Sequence, residues 1–187
     1  QLARRRAPAW SGCAQREPKE GATWAPHAVL GRVKFAAEQG ATQIMCQGGV
    51  NPELGLPWFE ELVARVIVED PKVDVHSLSV SEVLGLSKVE ELSVPDVLKR
   101  LKAAGMKSLP GAGAEILVER VRKRISARKV QPQAWLDVMR QAQLLGMPTT
   151  ATMMFGSVET DDERIEHMLG MRHLQDDTPG FTAFIPW

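Results

Sequence analysis

From about residue 27 onward, short apolar runs alternate with amphipathic stretches, and this alternation restricts the fold more than any other property of the chain. AVLGRVKFAAEQ (28–39) predicts a helix that Gly40 ends. TQIMCQ (42–47) predicts a strand stopped by Gly48-Gly49. Pro57 opens a second helix, WFEELVARVIVE, with Trp58, Leu62, Val63 and Val66 at helical spacing. VDVHSLS (73–79) alternates like a strand, and SVPDVLKRLKAAG (93–105) has the Ser, Pro and Gly punctuation of a capped helix. MKSL (106–109) predicts a strand, AEILVERVRKRI (114–125) and PQAWLDVMRQAQLLG (132–146) two helices, and PTTATMMF (148–155) another strand. DDERIEHMLGMRHLQDD (161–177) predicts a helix whose first turn carries acids, favourable at the positive end of its dipole, and FTAFIP (181–186) a last strand.

Strand–helix alternation of this kind argues for an α/β fold with parallel strands and right-handed crossovers. An open doubly wound sheet and a barrel both satisfy it. In either, a ligand sits at the carboxyl ends of the strands. The tails to inspect are therefore QGGVNPE, HSLSVSE, LPGAGAE, TMMFGSVE and IPW. Three of the five carry glycine and then a carboxylate. Amides bared by glycine bind carboxylate or phosphate, and a nearby Glu binds an amine or hydroxyls. The same residues are also what ordinary tight turns and helix caps use. Composition and spacing go no further.

Bulk properties exclude several function classes. Lys plus Arg is 23 and Asp plus Glu is 23, so no global charge draws the chain to nucleic acid or a membrane surface. Arg4-Arg5-Arg6 is a short basic cluster that reads as a solvated end. Two cysteines, Cys13 and Cys46, do not make a disulfide framework. No apolar run approaches the roughly 20 residues of a membrane span, and the beginning lacks the apolar core of a leader. These properties set the expectation of a cytoplasmic protein without nucleic-acid or membrane partners. The start at Gln1 and the end in FTAFIPW set the expectation of a piece of a longer protein.

GATQIMCQGGVNPEL, HSLSVSEV, SLPGAGAEIL and TTATMMFGSVETDDERIEHMLGMRHLQDDTPGFTAFIPW together resemble the radical S-adenosylmethionine (SAM) superfamily. The likeness covers about residues 27–187 and lies closest to the menaquinone-pathway branch of dehypoxanthine futalosine cyclases. Aminodeoxyfutalosine synthases and the deazaflavin-cofactor synthase subunit are near relatives. The resemblance implies a partial (β/α)6 TIM-like barrel with SAM across the strand ends. Residues 1–26 would then be an atypical N-terminal segment with a degenerate cluster loop, and 27–187 a truncated barrel whose first strand and C-terminal part are missing or degenerate. It implies SAM contacts from Gly48, Gly49, Thr152, Met154, Gly156 and Glu159, of which the adjacent Met153 and Met154 cannot both face the barrel. For the substrate side it implies His76, Ser79, Glu82 and Glu115; Arg124 and Ser126, in RKRISARK, suit either a ligand carboxylate or a surface salt bridge. Ala112 stands where relatives show a third glycine, and would be strained if that position needs a positive φ.

The implied chemistry is cleavage of SAM by a [4Fe–4S] cluster to a 5′-deoxyadenosyl radical, which would cyclise dehypoxanthine futalosine, a nucleoside-derived small molecule, with an electron donor reducing the cluster. The family's Cys-x3-Cys-x2-Cys loop is broken here. Cys13 matches the third cysteine and is the implied metal ligand, but Arg6 and Trp10 stand at the other two positions. Cys46, inside a strand, reads as a small buried hydrophobe. One thiolate does not hold a three-thiolate cluster. A truncated or frame-disturbed gene and a degenerate relative without catalysis, binding a ligand or partner, both account for the break. Anaerobic reconstitution with iron and sulfide is expected to leave the chain far below the roughly four irons of an intact cluster; full loading by iron assay and visible absorbance would refute this.

Overall fold

All five strands found in the structure are parallel, and they follow one another in sequence order. The computed structural model describes residues 26–187. The strands are β1 (Gln43–Ile44), β2 (Asp74–His76), β3 (Met106–Ser108), β4 (Thr149–Met153) and β5 (Phe181–Pro186). The helices between them are α1 (Pro26–Glu38), α2 (Leu56–Glu69), α3 (Val80–Val89), α4 (Val94–Ala104), α5 (Glu119–Ile125), α6 (Pro132–Leu144) and α7 (Asp161–Asp177). β1, β2 and β3 form one sheet and β4 and β5 another. A parallel bridge between Leu109 and Thr149 joins them: Leu109 N–H donates to the Pro148 carbonyl at 3.0 Å and Thr150 N–H to the Leu109 carbonyl at 3.2 Å. Sequential order makes the sheet a TIM-like wall, and does not give the reversal of strand order that a doubly wound sheet shows. A first strand before α1, the cluster loop and Cys13 lie outside the described residues.

The helices cover one face of this wall. In β4, Thr149, Ala151 and Met153 are buried while Thr150 and Thr152 are half-buried, the period-2 pattern of a strand packed on one side. Ala151 shares its cluster with Trp135, Val138 and Met139 of α6 and Met171 and Leu174 of α7. Val97, Leu98 and Leu101 of α4 are wholly buried where this helix packs on α2, α3 and α6. Each such side chain contributes about 1.5–3 kcal/mol over its exposed state. The caps are local chemistry. Ser93 accepts from Asp96 N–H at the start of α4, and Gly105, at φ 114°, closes its end. Leu56 N–H, an orphan donor at the start of α2, finds Glu90 Oε1 at 2.8 Å.

Several sequence expectations shift. The strands are shorter, and β2 ends at His76 because Leu78 turns to φ 64°. α3 was not foreseen, although S-x-x-E at Ser79–Glu82 is a capping-box signal, and both halves of the box form. Residues 114–118 are not helical, and α5 begins only at Glu119. Gly113 (φ 82°) and Glu115 (φ 41°) are left-handed there. The buried guanidinium of Arg122 also takes the Gly113 and Ala114 carbonyls at 2.8 and 2.7 Å, acceptors a helix would need. Ala112 is not among the residues with positive φ, so its replacement of glycine carries no backbone strain. Among the described residues no helix is long and apolar enough to cross a membrane.

Truncating Leu101 to Ala is expected to destabilise the fold by about 2–5 kcal/mol. Val68→Ala, on an 82% exposed side chain of α2, should stay within about 0.5 kcal/mol. Urea denaturation of both variants checks this.

Candidate functional site at the strand ends

Each strand tail is hydrogen-bonded to the next, so the five tails form one continuous edge. Cys46 N–H donates to Ser77 Oγ at 3.0 Å, and Leu78 N–H to the Cys46 carbonyl at 2.9 Å. His76 Nδ1 meets Ser108 Oγ at 2.7 Å. Gly111 N–H donates to Thr150 Oγ1 at 2.8 Å, and Thr152 Oγ1 donates to the Gly111 carbonyl at 2.7 Å. Gly111 is required there, because a Cβ would collide with the Thr150 carbonyl. Met154 N–H reaches the Glu115 carbonyl at 3.0 Å, and Phe155 N–H the Trp187 carbonyl at 3.1 Å.

Gly48, Gly49, Thr152, Met154 and Gly156 all lie along this edge. Met153 is buried with Ile116, Val118 and Val121, whereas Met154 is half-buried, so the two methionines divide as strand alternation demands. Gly49 (φ 92°) and Gly156 (φ 89°) are left-handed turns. A Cβ at Gly48, Gly49 or Gly156 would meet nothing within 4 Å, so this part of the edge is open.

The carboxylates of the edge face the chain's own amides and cations. Glu159 accepts from the Gly156 amide and, at 2.9 Å, from the Ser157 amide, and pairs with Arg164 at 2.9 Å. Its side chain is shielded from solvent. These donors, led by the Gly156 amide, hold its carboxyl at about 2, well below the usual range. Glu82 is turned onto the Gly48, Gly49 and Ser79 amides. The N–H groups that a ligand carboxylate would seek at the Gly48–Gly49 turn are therefore donated to Glu82. Ser79 caps α3 through Glu82 N–H. Glu115, almost buried, is paired with Lys129 and lies 4.0 Å from Arg122, and its Oε2 has no hydrogen-bond partner. Arg124 is exposed, and Ser126 Oγ is enclosed without a partner. The buried cation of this helix is Arg122, which sequence reading missed; its place four residues before Ser126 on the inner side of α5 is a periodicity signal. Burial pushes the His76 imidazole down and the Cys46 thiol up.

His167 of α7 locks the edge from behind. Its Nδ1 accepts from Leu117 N–H at 3.0 Å, so its Nε2 carries the proton donated to the Thr152 carbonyl at 3.1 Å. Burial holds this imidazole at about 4, below its ordinary 6.5. The unfolded chain therefore binds the proton more readily between those values. The stability from neutral His167 is fully present above about pH 6.5 and is lost as the pH falls toward 4. Between pH 7.5 and 5, wild type is expected to lose about 2 kcal/mol more than His167→Gln, which keeps one acceptor and one donor. Denaturation midpoints of the two proteins at both pH values measure the difference.

Comparison with known proteins gives this edge its family. The family model described as Radical SAM superfamily matches residues 11–169. The 5-amino-6-(D-ribitylamino)uracil–L-tyrosine 4-hydroxyphenyl transferase 1 of Methanosarcina acetivorans is 43% identical over 158 residues, covering 84% of this chain and 42% of the relative. The cyclic dehypoxanthine futalosine synthase of Streptomyces coelicolor is 44% identical over 159 residues, covering 85% and 40%. The aminodeoxyfutalosine synthase of Thermus thermophilus is 41% identical over 169 residues, covering 90% and 45%. The chain thus spans less than half the length of these relatives. Enzymes of this family use SAM and a [4Fe–4S] cluster on small-molecule substrates. With a family model matched across most of its length and relatives above 40% identity over the same residues, the chain belongs to the radical SAM superfamily.

Proposed function

We propose that residues 27–187 are the SAM-binding part of a six-unit partial barrel whose whole enzyme closes a ring on dehypoxanthine futalosine. The observation that carries this reading is the tail-to-tail bonding of the strands, which puts the Gly48–Gly49 turn and the Gly156 turn on one edge. In this reading SAM lies along that edge. Gly48 and Gly49 face its methionyl end, and Thr152, Met154 and Gly156 line the adenine side. Glu159 holds the Gly156 turn closed. His76, Ser79 and Glu115 line the substrate side, with Glu82 beneath them. A named cyclic dehypoxanthine futalosine synthase at 44% identity is consistent with this reaction; the tyrosine transferase and aminodeoxyfutalosine synthase reactions, of relatives at 43% and 41%, are the neighbouring alternatives.

The residues present do not fit the cluster. The chain has two cysteines, where three thiolates are needed. Cys46 is half-buried with its thiol pushed up by burial, the opposite of what a thiolate ligand requires. Among the described residues no group of three or more His, Cys, Asp or Glu is placed to hold a metal. Arg6 and Trp10 therefore favour a second reading for the chain as it stands: a unit that binds the nucleoside-like ligand without cleaving it.

Gly48 is the cleanest probe of the site. A Cβ there meets nothing within 4 Å and its φ is not left-handed, so Gly48→Ala should leave the melting temperature unchanged. If the turn is a wall of the SAM site, the same methyl group weakens SAM binding roughly tenfold. Calorimetric titration of SAM into the full chain reads this, and unchanged affinity would remove the Gly48–Gly49 turn from the site.

A further inference from the structure

Glu82 is 3% exposed, yet it is ringed by donors. Its Oε2 accepts from Ser79 N–H at 2.6 Å, the capping-box bond of α3. Capping needs no more than this oxygen. The other oxygen, Oε1, accepts from Gly48 N–H at 2.9 Å and Gly49 N–H at 3.2 Å, more than thirty residues back along the chain. Backbone amides on a carboxylate are charge-assisted bonds and among the stronger ones in a fold. One side chain thus ties the tail of β1 to the tail of β2 and fixes the turn in which Gly49 stands at φ 92°. A second contact works in the same direction. Val50 lies over Gly85 of α3, where a Cβ would come within 2.7 Å of Val50 Cγ1. Residues 48–50 are therefore seated on α3 at two points, one polar and one apolar.

We infer that Glu82 is a positioning residue, which holds the Gly48–Gly49 turn in the form that receives SAM and does not touch the ligand itself. Both of its oxygens are engaged, so a ligand would have to displace backbone amides to reach it. This inference rests on the reading of the edge as a SAM site.

Two measurements on the full chain test it: hydrogen exchange at residues 46–51 without ligand, and calorimetric titration of SAM. Glu82→Gln replaces an acceptor by a donor facing amides. It should speed exchange at Gly48 and Gly49 by roughly tenfold or more and weaken SAM binding roughly tenfold. Gly85→Ala lifts the same turn through Val50 and leaves Glu82 intact. It should weaken SAM binding as well, and Val50→Ala in that background should restore it. This pair keeps the test decisive if Glu82→Gln does not fold. Unchanged exchange in Glu82→Gln overturns the inference. So does faster exchange with unaltered affinity, or Gly85→Ala binding SAM as wild type does. A wild-type chain that binds no SAM overturns the proposed function and this inference with it; wild-type binding matched by Glu82→Gln overturns this inference alone.

Discussion

Two backbone hydrogen bonds at Leu109 turn two small sheets into one wall. The Leu109 amide reaches the Pro148 carbonyl and its carbonyl takes the Thr150 amide. Everything described at the strand ends depends on that junction. The LPGAG loop can cross the end of β4 only because Gly111 has no side chain to strike the Thr150 carbonyl. Once there, it exchanges hydrogen bonds with Thr150 and Thr152 and carries Glu115 to the Met154 amide. Arg122 keeps the loop from winding into the start of α5 by taking its carbonyls, and His167 closes the outer side of the same strand.

The sheet was legible because its signal is redundant. Five apolar runs, separated by turn residues and amphipathic stretches, leave parallel α/β as the main solution, and all five strands form close to where they were expected. Boundaries were less legible, since they are decided by single dihedral angles such as those of Leu78 and Glu115. α3 was missed because Ser79 and Glu82 were given to a ligand when they were also a capping box. The glycines of the candidate site were readable from their place after strands. What their neighbouring carboxylates do was not, because sequence shows that an acid follows a glycine turn but not which amides it will face. Arg122 was harder to read: its helical spacing with Val118, Val121 and Ile125 marks it among the basic residues of RVRKR, but only the path of the preceding loop shows which carbonyls it takes.

A common device runs through both glycine turns. At Gly48–Gly49 and at Gly156–Ser157 the exposed amides are met by the chain's own carboxylate, from Glu82 and Glu159. Turns of this composition are flexible in isolation, and an internal anion removes that freedom before any ligand arrives. The family's cluster asks for three thiolates, and this chain has two cysteines.

β5 has a different kind of consequence. It pairs with β4 on one side, Trp187 N–H reaching the Met153 carbonyl at 2.9 Å, while Phe184, Ile185 and Trp187 are substantially exposed. Among the described residues no strand lies on its far side. A row of unmatched main-chain donors and acceptors beside bare aromatic and branched side chains is a template for adding another strand. Among the described residues this edge is therefore where a further parallel strand would pair, the position that a sixth unit of the proposed barrel would fill.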